Sequence, residues 1–330
     1  MTNLAKRIFT QDWLPLLALT IVGMGVLAFI SSEFLSAYNL FVMLRILSVT
    51  SLVALSQMVV IAIGQMNLAV GAIGGLVAIL FGGMLEVYGL PIWLAATIGL
   101  LLGLAAGALS GVLIAYTRIS GFVISLALMF TFTGLDYGIT QSIPFYKMPQ
   151  VLKDWYDSYL GPIPSILFIP LLAGVGVAGL LTYSRPGRHM LAMGGNPAAA
   201  ELAGISLTRT TIFTHTLSGG LAALAGMVAV ARLGTAEPSI GADWLMASFA
   251  APVIGGAVLE GGYVSVVGTL IAAVIVILLE DGLLLARTNP FYVQFLLGAL
   301  ILATVLFNHW RSAVNASSVE TAGGSGGRRQ

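Results

Sequence analysis

Apolar runs near 20 residues long recur along nearly the whole chain, and this recurrence constrains the fold more than any other feature. About 20 helical residues cross a hydrocarbon core of about 30 Å. Backbone amides in lipid must be satisfied within the segment itself, so runs of this kind form helices. Ten spans are expected, at about 13–30, 40–63, 70–87, 91–116, 121–141, 163–183, 210–232, 245–259, 265–281 and 290–309. The fold class is therefore all-α and polytopic, with a transmembrane domain over 13–312. A short segment, 1–12, precedes it. A tail rich in Ser, Gly and Ala, 313–330, follows and is expected to be disordered. Composition excludes the soluble alternative, because 8% of the residues are charged against about 25% in a soluble domain.

The distribution of basic residues orients the spans. Lys6, Arg7, Arg118, Arg185, Arg188, Arg209, Arg311, Arg328 and Arg329 fall on the side of the N-terminus. Lys147, Lys153 and Arg287 fall on the other side. By the positive-inside bias both termini and the 185–209 loop are cytoplasmic. No small-residue cleavage site follows the first apolar run, so that run is expected to stay as a span. On the opposite side the 142–162 loop carries Trp155, Tyr156 and Tyr159, aromatic residues suited to a short helix lying at the headgroup boundary.

Little chemistry for an enzyme is present. Zero Cys excludes disulfides and thiol chemistry. No G-x-x-x-x-G-K-[ST] run exists to cradle ATP, and His189, His215 and His309 are too scattered for a metal site. The expectation is a transporter with no metal and no cofactor of its own, and no nucleic-acid partner. Polar groups within spans mark the candidate solute path. Asp136 lies three residues from Thr133, and Tyr137 lies four from it, so all three can share one helix face. Gln57, Gln65 and Asn67 offer uncharged donors and acceptors, suited to a neutral hydroxyl-rich solute or equally to interhelical hydrogen bonds. Asp136 also leaves open a proton-coupled secondary transporter acting without an ATPase.

Glycine divides into two kinds. Gly99, Gly103, Gly107 and Gly111 recur every four residues, a stripe that permits close helix packing. Gly64 to Gly71 and Gly255 to Gly262 instead place polar groups among glycines, the pattern of helix breaks against a protein-lined cavity.

The polar loop 185–209 carries a helix signature. Asn196 is a good N-cap, Pro197 suits the first helical position, and Ala198 to Ala203 favour helix up to a Gly204 stop. A helix this short is marginal alone and is expected to pack on something. The run from Gly187 and Arg188 through Gly194, Gly195 and Asn196 to Ala203, Gly204 and Ile205 resembles the G-R-x-x-x-A-x-G-G-N-x-x-A-A-x-x-x-G-I segment of ribose/xylose-type ABC importer permeases. Phe122 to Leu126 is similar to the family's F-I-V-T-L, and Asn67 to Gly71 to its D-L-S-V-G, with Asn67 replacing the usual Asp.

This resemblance implies the permease subunit of a bacterial inner-membrane importer for a monosaccharide, or for a polyol or signal molecule. Its partners would be cytoplasmic ATP-binding subunits, a periplasmic solute-binding protein and a second permease chain, within the lipid bilayer. Asn196, Pro197, Ala199, Ala200, Glu201, Leu202, Ala203 and Gly204 would form the coupling helix that receives force from the ATPase.

Overall fold

A computed structural model describes residues 13–117, 119–161, 163–285, 292, 294–300 and 302–303. The N-terminal segment, the tail and much of the tenth expected span lie outside the described residues. The chain is built from helices α1 (Leu14–Ile30), α2 (Ala37–Ile61), α3 (Val70–Glu86), α4 (Ile92–Thr117), α5 (Gly121–Thr140) and α6 (Gln150–Asp157). They are followed by α7 (Phe168–Tyr183), α8 (Arg185–Gly195), α9 (Pro197–Leu202), α10 (Leu207–Leu233), α11 (Trp244–Ile254) and α12 (Val266–Leu285). A two-stranded antiparallel hairpin, Tyr159–Leu160 with Ile163–Pro164, is the one named sheet among the described residues. Residues 294–300 are again helical.

Six of these segments are long and apolar enough to cross a membrane: Ala37–Ile61, Ile92–Thr117, Gly121–Thr140, Ser165–Tyr183, Leu207–Leu233 and Val266–Leu285. Leu14–Ile30, Val70–Glu86 and Trp244–Ile254 are apolar but shorter. The ends are set by local chemistry. Ser36 Oγ accepts from the Asn39 amide at the start of α2 (3.2 Å), and Gly234, at φ +67°, closes α10 in the left-handed conformation.

At the centre lies α10, packed most extensively on α4 and then on α2 and α3. The glycine stripe explains the α4 contact. Gly99 faces Met227, Gly103 faces Ala223, Gly107 faces Gly219, and Gly111 faces Ile212 and His215. Each step of four on α4 therefore meets a step down α10, so the two helices run antiparallel at backbone-to-backbone distance. A Cβ at Gly107 would stand 2.9 Å from the Gly219 Cα. Lipid supplies no hydrophobic drive for such contact, so close packing of small residues has to supply it.

An irregular segment before α11 explains where the expected spans and the structure part. α11 has 11 residues, about 16 Å of helix, roughly half of a hydrocarbon core. The segment 234–243 supplies the remaining depth by dipping along α3. Ala236 packs on Gly82, the Ile240 carbonyl on Gly75, and Gly241 on Gly71. An antiparallel bridge between Ala236 and Phe145 ties its outer end to the 142–162 loop. The straight span expected at 245–259 is thus a half-helix entered through a non-helical stretch. Such backbone is tolerated at membrane depth only where protein covers it.

Candidate functional site

The polar residues at the first break are held by one another. The Gln57 side-chain amide, with its nitrogen toward the Asn67 carbonyl (2.9 Å) and its oxygen toward the Asn67 amide (3.2 Å), pairs like a peptide with the chain beyond α2. The Asn67 Oδ1 accepts from the Ala69 amide (3.0 Å), and its Nδ2 donates to Ser218 Oγ (3.3 Å). Ser56 Oγ donates to the Ser218 carbonyl (2.9 Å). Gln65 Oε1 lies 2.9 Å from His215 Nε2. Ser56, Gln57, Asn67, His215 and Ser218 are all fully buried. In a low-dielectric interior such a network fixes the path of the broken chain. Gln65 and Asn67 are each bonded to α10, at His215 and Ser218, whereas Gln57 is bonded to the broken chain at Asn67.

The second polar group divides. Phe132, Asp136 and Thr140 form the buried face of α5, whereas Thr133 is half-buried and Tyr137 is 46% exposed. Spacing alone allowed the three residues one face; burial of Asp136 against α3 turns Tyr137 outward. Asp136 Oδ2 lies 3.1 Å from where a Gly75 Cβ would be, beside the dipping Ile240 carbonyl, while its Oδ1 is buried without a partner. Asp136 and the Gln57–Asn67 knot stand on different elements, with no hydrogen bond between them among the described residues.

The 185–209 loop holds two helices where the sequence suggested one. Ser184 caps α8 by accepting from the Gly187 amide (3.1 Å). Gly187 packs on the Leu180 carbonyl, and Met190 and Met193 are buried. Asn196 Oδ1 caps α9 by accepting from the Ala199 amide (3.0 Å). Gly204, at φ +81°, ends it, with the Ile205 amide donating to the Ala200 carbonyl (3.0 Å). Ala200 packs inward while Leu202 is 91% exposed.

Between α8 and α9 lies a junction that sequence reasoning did not foresee. The Gly262 amide donates to the Ala62 carbonyl (3.0 Å). Gly261 and Gly64 meet backbone to backbone, and Gly194, at the end of α8, packs on both chains. The two Gly-dense breaks therefore contact each other and the stem of α9. Their similarity in composition was the one sequence signal of this meeting.

At the opposite end of the bundle, α6 and the hairpin cover the outer turns. Arg45 closes the contact: its Nη2 pairs with Asp157 Oδ1 (2.6 Å), and its guanidinium lies over the Phe41 ring (3.8 Å) and the Tyr156 ring (4.2 Å). Burial pushes the Tyr156 hydroxyl above its usual range, chiefly by desolvation, against the pull of Arg45 and Arg232.

Two cavities open here. One, of about 770 Å³, is lined almost wholly by apolar surface, with Phe81, Trp93, Trp155 and Met227 among its residues. The other, of about 170 Å³, lies where α10 ends and α11 begins, and Arg232, Ser239, Asp243 and Trp244 line it. Among the described residues no group of three His, Asp or Glu side chains has the placement of a metal site.

The family model described as "Branched-chain amino acid transport system / permease component" matches residues 39–305. The chain is 33% identical over 317 residues to the ribose import permease protein RbsC of Escherichia coli (strain K12), covering 92% of this chain and 97% of that relative. It is 31% identical to the fructose import permease protein FrcC of Rhizobium meliloti, covering 92% and 86%. It is 35% identical over 265 residues to the autoinducer 2 import system permease protein LsrD of Enterobacter sp. (strain 638), covering 77% and 80%.

Proposed function

This chain belongs to the branched-chain amino acid transport system / permease component family, and on that premise we propose that it carries a small neutral monosaccharide inward by alternating access. It is a multi-pass bacterial inner-membrane subunit of an ABC importer, and ATP hydrolysis lies on a separate subunit. The family implies ATP-binding and solute-binding-protein partners. Two of the three relatives above are named for monosaccharides, which supports that solute class. The topology we propose is ten spans with both termini cytoplasmic: α1 to α5, α7, α10, α11, α12 and the helix containing 294–300. The exposed apolar faces of α5 and α7, with Phe130, Leu172 and Val175 outward, suit lipid or a second permease chain.

The exposure of Leu202 carries the mechanism. An apolar side chain 91% exposed on a polar loop, outside every candidate span, suits a groove on another protein. In this reading Asn196 to Gly204 form the coupling helix. Asn196, Pro197 and Gly204 shape it, Ala199, Glu201, Leu202 and Ala203 face the ATPase, and Ala200 roots it inward. Movement of α9 reaches the spans through α8 and its Gly194, which bears on residues 62–64 and 261–262. Gln57, Gln65 and Asn67 hold the break that this movement shifts, Asp136 and the half-buried Thr133 stand beside the path, and Tyr137 turns outward from it.

The test is Leu202→Asp with Ala203→Asp in the complete importer reconstituted in proteoliposomes. The expected result is a folded permease whose D-ribose and D-fructose uptake is lost along with stimulated ATP hydrolysis. Uptake at the wild-type rate would remove α9 from the mechanism.

A further inference from the structure

We propose that the cavity between the end of α10 and the start of α11 is a monosaccharide contact site on the importer's path, with Arg232, Asp243 and Trp244 as the residues that distinguish one sugar from another. This rests on the reading of the chain as a monosaccharide permease and adds a place where the permease itself touches the solute.

The fold shows what a purely structural arginine looks like. Arg45 is closed by a carboxylate, a backbone carbonyl and two aromatic rings. Arg232 stands at the same end of the bundle without such closure. It makes no ion pair among the described residues, and although the Nε of each arginine is buried without an acceptor, only Arg45 has its charge met by a carboxylate and two rings. Asp243 is exposed at the N-cap position of α11. A guanidinium and a carboxylate thus line one cavity without an ion pair between them. A buried donor left without an acceptor is an unmet cost unless something else supplies one.

The chemistry of the lining defines the occupant. Guanidinium and carboxylate together donate to and accept from adjacent hydroxyls, in the forked geometry that suits vicinal pairs. An indole offers an apolar face for the C–H side of a sugar ring. Trp244 is half-buried, with its six-membered ring over Gly74, so a second contact on its free side needs no rearrangement. The Ser239 hydroxyl is held by Glu237 (3.2 Å) and shapes the rim. A volume of about 170 Å³ is the space of about five or six waters, the scale of one small sugar ring. The site also lies where the dipping segment 234–243 leaves α10, a broken-helix setting of the kind in which transporters place solute sites.

The test compares uptake of D-ribose, D-fructose and 2-deoxy-D-ribose by the complete importer in proteoliposomes. The variants are Arg232→Gln, Asp243→Asn and Trp244→Phe, with Arg45→Gln as control. The three site variants are expected to slow uptake of the transported sugar at least fivefold below saturation. They should also change the preference between D-ribose and its 2-deoxy analogue at least threefold. Trp244→Phe keeps an aromatic ring at a half-buried position, and Asp243→Asn alters an exposed group, so both should fold. Arg45→Gln is expected to lower the melting midpoint and leave the preference unmoved. All three site variants within twofold of wild type on both measures would overturn the proposal alone. An equal change of preference in Arg45→Gln would overturn it as well. Wild-type importer that moves none of the three sugars would remove the monosaccharide reading, and this site with it.

Discussion

One substitution, Gly→Ala, should have opposite signs at two helical positions of this protein. At Gly103 the new methyl would press on the Ala223 Cβ and stand 2.8 Å from the Gly219 carbonyl oxygen. α4 and α10 would have to separate by several tenths of an ångström along a seam that includes Gly107 and Gly111. Overpacking of this kind costs about 1–3 kcal/mol. At Gly176, inside α7, nothing lies within 4 Å, so the methyl meets no protein. There the reduced freedom of the unfolded backbone gains about 0.5–1 kcal/mol. The assay is the thermal unfolding midpoint of the purified permease in detergent, with both variants measured beside wild type. Gly103→Ala should melt lower and Gly176→Ala the same or slightly higher. Adding Ala223→Gly to Gly103→Ala removes the opposing methyl and should recover part of the loss. Refutation would be a Gly103→Ala protein at or above wild type, or a loss at Gly176 as large as at Gly103.

Asn67→Ala deletes the acceptor for the Ala69 amide and the donor to Ser218, and should destabilise by about 1–3 kcal/mol. Combined with Ser218→Ala it should cost less than the two separate losses together, with a coupling of about 0.5–2 kcal/mol in a double-mutant cycle on the same midpoint; strict additivity would show that the knot is not a unit. Gly194→Ala drives a methyl into the Ala62 carbonyl and the Gly262 amide. Uptake in proteoliposomes should fall more than tenfold while the permease still co-purifies with its ATP-binding partner, and unchanged uptake would disconnect α9 from the breaks.

What could be read from the residues depended on how local the cause was. The cap of α9 needs only Asn196, Pro197 and Gly204, and its geometry follows those residues closely. The α4 stripe was legible as a packing face because its period is regular, although its partner on α10 was not. The half-helix α11 was hidden, because Trp244 to Leu259 is apolar enough to pass for a span and the cause of the dip lies elsewhere. Gly71, Gly75 and Gly82 on α3 make room for 234–243, more than 150 residues away along the chain. α8 was missed because Gly187, Gly194 and Gly195 weaken helix propensity, while burial of Met190 and Met193 overrides it. Gln57 and Asn67 were legible as polar groups within spans but not as each other's partners. Arg232 and Trp244 gave no signal as a pair, since only the fold brings them to one cavity.

The α4–α10 seam also bears on the order in which the molecule is made. Residues 99–111 find their closest backbone contacts at 212–227, so α4 enters the bilayer about 100 residues before its main partner is synthesised. At an elongation rate of about 5–20 residues per second, that glycine face meets lipid for several seconds. The first helices, which touch one another through α3, α4 and α5, therefore wait with their largest seam unfilled. α10 arrives later as the piece that docks α2, α3 and α4 together, and completion of the core is a late event in biogenesis.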